Sequence, residues 1–538
     1  MRKALFYCIV ILLTLNDSSV LSQDSTSTGF GSTATIPYKM LSAKMEFQQN
    51  NMRGALTLYR EILEADPSNA TATLGIAQCH YNLKKYNLAL EYLNRALAIN
   101  TEVNPRTSFF FGQIYHRLAD LDKAINYYQQ YIDAEKMSTY EKELALKYIK
   151  ECQFAKSMMA NPAPVVISNM GEVVNSRFEE YAPGITSDGK TIYFTSRRSD
   201  TKGGNIDQKG DYKFFEDIYS STYNPETESW SDSEPIPGAV NTETYDGILS
   251  IAPDGMSMFV YKNTTNSAGD IFFSKKSQSD GEWYAAEKLS RPINTTYFES
   301  SVSITADGST LYFISERPEG MGQGDIYVAT KKGDSWSNPK NLGKVINTED
   351  DEKFVFIHPN GKTLYFSSNG HECLGSYDIF KTEFVNGEWS IPVNLGYPIN
   401  TVNEESTFSL TADNKKLFLA AEYKENFGER DIYMVDVSQY DLISKGYENG
   451  TFGQIICIAL DAGEQEIRGV EVKVFDAVSG KLMGEGKTDK TGRWKVSLQG
   501  NRSYRVEFMD GVKRDERIVD LTLKAQGETV EKATGVLR

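Results

Sequence analysis

One short phrase, written five times, constrains this chain more than any other feature. DGKTIYFTS begins at Asp188, DGMSMFVYK at Asp254, DGSTLYFIS at Asp307, NGKTLYFSS at Asn360 and DNKKLFLAA at Asp413. The intervals are 66, 53, 53 and 53 residues, so the first unit alone carries an insertion, within SRRSDTKGGNIDQKGDYKFFED. Asp-Gly and Asn-Gly supply the positive φ of tight hairpins, so these corners are structural and not a ligand site. In the third unit, residues 298–348, four strand-like runs are legible: SVSIT, TLYFISE, DIYVATK and KNLG. Alternating apolar residues such as Leu311, Phe313 and Ile326 predict one buried face per strand.

The third run announces itself in every unit, at Asp217-Ile218-Tyr219, Asp270-Ile271-Phe272, Asp325-Ile326-Tyr327, Asp378-Ile379-Phe380 and Asp431-Ile432-Tyr433. A tryptophan closes the next hairpin in four units, at Trp230, Trp283, Trp336 and Trp389. A four-stranded wedge cannot bury both faces alone, and radial packing against identical wedges solves that. The fifth unit stops after DIYMVDVS (431–438) without a fourth strand, while SNMGEVVNS (168–176) precedes the first unit and matches KNLGKVINT and VNLGYPINT. Residues 168–176 are therefore expected to supply the missing outer strand and seal a ring of five. The motif resembles the TolB-type, WD-like (PD-type) β-propeller repeat of bacterial envelope proteins, over 164–440. That resemblance implies a five-bladed propeller and no chemistry of its own.

Ahead of this region, from Tyr38 to Ala160, the period changes to that of helices. Ala55, Ala89 and Ala124 stand 34 and 35 residues apart, each preceded twelve positions earlier by a small residue, Ala43, Ala77 or Gly112. Tyr59, Leu93 and Tyr128 follow four positions after, and Pro67 closes the first unit. Small residues at these places let antiparallel helices approach, and the large ones fill the gap to the next pair. The pattern resembles three tetratricopeptide repeats over about 38–135, closed by a further helix in STYEKELALKYIKECQFAKSMM. In that family the first helix of each pair lines a concave groove. Carried over by register, the groove presents Lys44 and Gln48, Gln78 and Asn82, and Gln113 and Arg117, polar groups suited to an extended peptide. A merely solvated spacer face is the competing reading of the same residues.

Residues 451–538 alternate again, and within them GVEVKVFDAVSGKLMGEGKTDKTGRWKVSLQGNRSYRVEF (469–508) gives three or four strands separated by Ser-Gly, Lys-Thr-Gly and Gly-Asn turns. This tail resembles the carboxypeptidase regulatory-like domain, a small transthyretin-like β-sandwich. At the other end, Arg2 and Lys3 precede twelve apolar-rich residues, Ala4 to Leu15, and Val20-Leu21-Ser22 offers a cleavage site before Gln23. That is the pattern of a signal peptide (1–22), followed by a linker over 23–37. No later run reaches the 18 apolar residues of a membrane-spanning helix, so no membrane insertion is expected. Four cysteines beyond Cys8, namely Cys79, Cys152, Cys373 and Cys457, are too scattered for a disulfide framework and read as small hydrophobes.

The formal net charge of −16 argues against nucleic acid or an anionic surface as the main partner. No nucleophile elbow exists; Gly333-Asp334-Ser335-Trp336-Ser337 breaks its last position. His80, His116, His358 and His371 form no zinc motif, and the acidic run Glu349-Asp350-Asp351-Glu352 lacks the spacing of a calcium loop. A sialidase-like aspartate hairpin would separate Asp from Gly, which here are adjacent. The expectation is no enzyme, no cofactor and no metal.

The fold class expected is multidomain, α then β: tetratricopeptide α-solenoid, five-bladed β-propeller, transthyretin-like β-sandwich. This order is similar to that of the OmpA-family periplasmic proteins of Bacteroidetes-type bacteria, some of which belong to the type IX secretion machinery. The chain given reaches Arg538 without an OmpA-like part, which puts peptidoglycan anchoring in doubt. The function expected is a non-catalytic, outer-membrane-associated periplasmic scaffold for envelope or secreted proteins, one partner in the helical groove and another on the propeller face. A glycan-binding or peptidoglycan-associated module is the alternative, and a propeller hydrolase a distant third.

Overall fold

The computed structural model describes residues 35–134, 137–207, 212–262, 269–333, 335–423, 425–444, 452–478, 480, 482–499, 502–522 and 530–537. The signal-peptide expectation over 1–22, with most of the linker, lies outside the described residues. The chain divides into two compact units. One ends at Ile149, and the other begins at Lys150.

The first unit contains α1 (Ile36–Gln48), α2 (Met52–Ala65), α3 (Ala70–Asn82), α4 (Tyr86–Ile99), α5 (Thr107–Arg117) and α6 (Leu121–Asp133), with the start of α7 (Thr139–Ala160). The side chains of Asn51, Asn69 and Asp120 cap α2, α3 and α6 by accepting from backbone N–H groups of their first turns. Asn50, Lys84 and Ala119, each just past the first helix of a pair, share a positive φ that turns the chain back. The helices meet closely where the small residues stand: Ala43, Ala55, Ala77, Ala89 and Ala124 are fully buried. A Cβ on Gly112 would lie 2.6 Å from Tyr128 Cδ1, and one on Gly75 would lie 2.5 Å from Tyr59 Cζ. Gly75 is a close-approach position that the repeat register did not single out.

In the second unit, residues 166–436 form five antiparallel sheets among the described residues. The third is typical: Glu299–Ile304, Thr310–Ser315 and Asp325–Lys332 run side by side, and the two-residue strands Ser335–Trp336 and Lys340–Asn341 both pair with the last of them. All five corners behave as expected. Gly189, Gly255, Gly308, Gly361 and, at the divergent copy, Asn414 carry φ between 57 and 68°. The expected single buried face is corrected: Leu311, Tyr312, Phe313 and Ile314 are all buried, at 8% exposure or less. Both faces are covered because each sheet is packed between neighbours. The first strands of successive sheets touch, first to second, second to third and third to fourth, and that of the fifth meets that of the first. Phe354 and Phe408, with ring centroids 5.1 Å apart, join the fourth to the fifth.

The fifth sheet takes its outer strand from Val166–Asn169, antiparallel to Asp431–Asp436 with Ser168 opposite Met434. The pairing strand therefore starts two residues earlier than expected, and most of 170–176 forms the turn after it. The turn explains the recurring Asn-Thr. Asn241, Asn294, Asn347 and Asn400 each accept from the backbone N–H of Ile218, Ile271, Ile326 or Ile379 and donate back to its carbonyl, all at 2.8–3.0 Å. Asn175 does the same to Ile432, at 2.8 and 2.9 Å. The next residue, Thr or Ser, hands its hydroxyl and N–H to a buried acid four positions on: Ser176 to Glu180, Thr242 to Asp246, Thr295 to Glu299, Thr348 to Glu352 and Thr401 to Glu405. The Asn clips one sheet and the acid begins the next, so each such segment is a joint.

Among the described residues the tail holds seven strands, and four of them begin within 469–508, where three or four were expected. Arg493–Gln499, Phe452–Asp461 and Val530–Leu537 form one sheet, the last pair parallel; Leu482–Lys487, Glu471–Asp476, Arg502–Asp510 and Lys513–Leu521 form the other. Val472, Val474, Val506, Phe508 and Leu521 of one sheet share a core with Ile455, Cys457 and Leu498 of the other. The missed strands include Lys513–Leu521, whose KRDERIVDL is too charged to read as a strand by alternation. Cys79, Cys152, Cys373 and Cys457 are all buried thiols.

Candidate functional site

The polar positions expected in the groove fall on the first helix of each pair. Lys44 and Gln48 are on α1, Gln78 and Asn82 on α3, Gln113 and Arg117 on α5. Each pair is four residues apart and so shares a helix face. Gln48 is exposed, and the other five are half-buried. Asn82 is partly committed to its own helix, donating from Nδ2 to the carbonyl of Gln78 at 3.0 Å. Gln113 Oε1 is buried and accepts no hydrogen bond.

Arg117 is held from across the helix stack. Burial opposes its charge, but the phenolic groups of Tyr81, Tyr86 and Tyr148 outweigh that and raise its pKa, with Tyr81 accepting a hydrogen bond from it. These tyrosines belong to α3, α4 and α7, so the cation is tied to three other helices. Tyr148 packs further against Phe109 and Tyr128, at ring centroid distances of 5.7 and 5.5 Å. His80 is buried beside Tyr92, and burial, followed by Arg60 and Lys85, lowers its pKa. The aromatic partners were not singled out in the sequence; the only hint was the 31 tyrosines.

The arrangement offers uncharged donors and acceptors, one rigidly held guanidinium, and one lysine. It can hydrogen-bond an extended backbone, and it holds no nucleophile–base pair. Among the described residues no group of three or more His, Cys, Asp or Glu is arranged to hold a metal, and no helix is long and apolar enough to cross a membrane. In the second unit, Trp283 is 1% exposed. Trp230, Trp336 and Trp389 are partly buried against their sheets' cores, so none of the four hairpin tryptophans is an open stacking platform.

Family models of the tetratricopeptide repeat match residues 42–104 and 105–136. A clustered mitochondria protein homolog of Candida albicans is 29% identical over 112 residues, covering 19% of this chain and 8% of that protein's length. TolB from Acinetobacter baumannii is 14% identical over 56% of this chain and 71% of its own, with a TM-score of 0.30. The first TPR of Spaghetti (RPAP3), bound to the HSP90 peptide SRMEEVD, is 21% identical over 23% of this chain and 93% of its own, with a TM-score of 0.21. The N-terminal region is thus a run of tetratricopeptide repeats, an architecture that implies a protein–protein interaction scaffold, and a β-rich region follows it.

Proposed function

We propose that this chain is a non-catalytic scaffold of the cell envelope that holds an extended peptide of an envelope or secreted protein on the first helices of its repeats. The observation that carries the reading is the set Gln78, Asn82, Gln113 and Arg117, half-buried polar side chains on successive first helices. Such groups can donate to and accept from the backbone of a bound strand without any charge on the ligand. The five sheets are read as a five-bladed, TolB-type propeller, supported by the joints and by the strand 166–169 that completes the fifth sheet. The tail is read as a transthyretin-like, carboxypeptidase regulatory-like sandwich, supported by its two sheets around one core. Export to the periplasm, at the outer membrane, rests on the charged-then-apolar start of the sequence. Kinship with OmpA-family proteins and with type IX secretion rests on domain order alone.

The test is photo-cross-linking in intact cells from a probe placed at Gln78, followed by mass spectrometry. The expected result is a small set of envelope proteins, each lost when Lys44→Ala and Gln113→Ala are combined. Cross-links that are absent, or unchanged by those substitutions, would remove the groove from the account.

A further inference from the structure

The repeats provide their own control for surface chemistry. Backbone register makes four outer-edge positions equivalent from sheet to sheet, because Tyr223, Lys276, Lys331 and Phe384 each pair with the hairpin tryptophan, and Glu234, Glu287, Lys340 and Val393 each pair with the preceding long strand. In the third sheet the four positions are Lys331, Lys332, Asn338 and Lys340, all exposed. Lysines on a sheet edge are a standard guard against strand addition. In the fourth sheet the same positions are Phe384, Val385, Ile391 and Val393, and they remain 41, 53, 81 and 49% exposed. The first and second sheets have Tyr223, Asn224, Asp232 and Glu234, and Lys276, Ser277, Ala285 and Glu287. Only the fourth sheet has four apolar residues here.

We propose that this edge of the fourth sheet is a docking site for an extended segment of a protein partner, taken up as an added strand. Its geometry suits a strand rather than a flat surface. Phe384 pairs with Trp389, while Val393 pairs with Lys381, three positions away, so Phe384 and Val393 lie on opposite faces of the sheet. An incoming strand sends alternate side chains to both faces and would meet an apolar residue on each. Among the described residues, no strand pairs beyond the outermost strands, Glu388–Trp389 and Val393–Asn394. Area decides against a second copy of this chain. The four side chains leave roughly 400 Å² open, about half of what each partner of a stable interface gives up. That suffices for a short strand and falls short of a dimer.

The test uses the full chain and a fluorescein-labelled peptide, Lys-Thr-Val-Thr-Val-Thr-Val-Lys, read by anisotropy. The altered protein carries Ile391→Asn with Val393→Lys, the residues that the third sheet tolerates at these positions. Saturable binding, weakened roughly tenfold or more by the double substitution, is expected. A peptide with proline at its centre should not bind the unaltered protein, because it lacks a ladder donor, and this arm does not depend on the variant's folding. Absence of binding, equal binding of the proline peptide, or equal binding by the variant would overturn the proposal. So would sedimentation showing a dimer that the double substitution dissolves.

Discussion

Replacing Asn175 by alanine tests the sealing joint at its smallest point. Asn175 is 2% exposed and its amide satisfies both the N–H and the carbonyl of Ile432, which is itself fully buried. Truncation leaves the buried N–H of Ile432 without a partner, while its carbonyl keeps only the N–H of Met170, at 3.2 Å. With one group orphaned, the cost is about 1–3 kcal/mol. Asn347→Ala removes the same two bonds, to Ile326 at 2.9 and 3.0 Å, and should cost about as much in global stability. The two variants should then part company. At Asn347 the chain continues from one sheet into the next, whereas Asn175 joins the first sheet to the last, which the chain reaches only some 250 residues later. Asn175→Ala should therefore release Val166–Asn169 and the outer side of Asp431–Asp436 before the rest unfolds. Urea unfolding gives the global cost and amide hydrogen exchange gives the local one. Unfolding within 0.5 kcal/mol of the parent, or an equal exchange pattern for both variants, would refute the reasoning.

Two further outcomes follow from named contacts. Gly112→Ala should destabilise the helical unit by roughly 1–3 kcal/mol in thermal unfolding, because the clash with Tyr128 outweighs alanine's helix preference of about 1 kcal/mol. The second unit should lose stability from pH 5 to 8.5. Burial pushes Asp217 up to about 7 and Glu352 and Glu405 up to about 8. Each holds its proton more tightly folded than unfolded, so this stability is complete below the unfolded carboxyl range of about 4 and is lost as pH rises through 7 to 8. Glu352→Gln should flatten the profile of melting temperature against pH, and a profile rising over that interval would contradict the assignment.

Much of this fold is written locally, and that part was legible. The Asp-Gly corners fix hairpins by backbone conformation, and the 34- and 35-residue spacing of Ala55, Ala89 and Ala124 fixes helix pairs by volume. The copy VNS at 174–176 could be matched to INT elsewhere, although nothing in the match said that its asparagine serves Ile432. What could not be read depends on residues distant in sequence. Both faces of Leu311–Ile314 are buried because another sheet lies on each side, which alternation within one strand cannot register. Arg117 sits among Tyr81, Tyr86 and Tyr148 from three other helices, so repeat spacing placed it without its partners. Lys513–Leu521 is a strand despite its charges because it is an outermost strand, where side chains point to water.

The account turns on one seam, where the chain just past the helices completes the last sheet. Ser168 and Met434 are register partners across it, and neither is buried. With Ser168→Cys and Met434→Cys combined in the full chain, mild oxidation of the folded protein should link the two, as read by mass spectrometry of the non-reduced digest. A folded protein that forms no such link, or that links residue 168 to another sheet, would contradict the account.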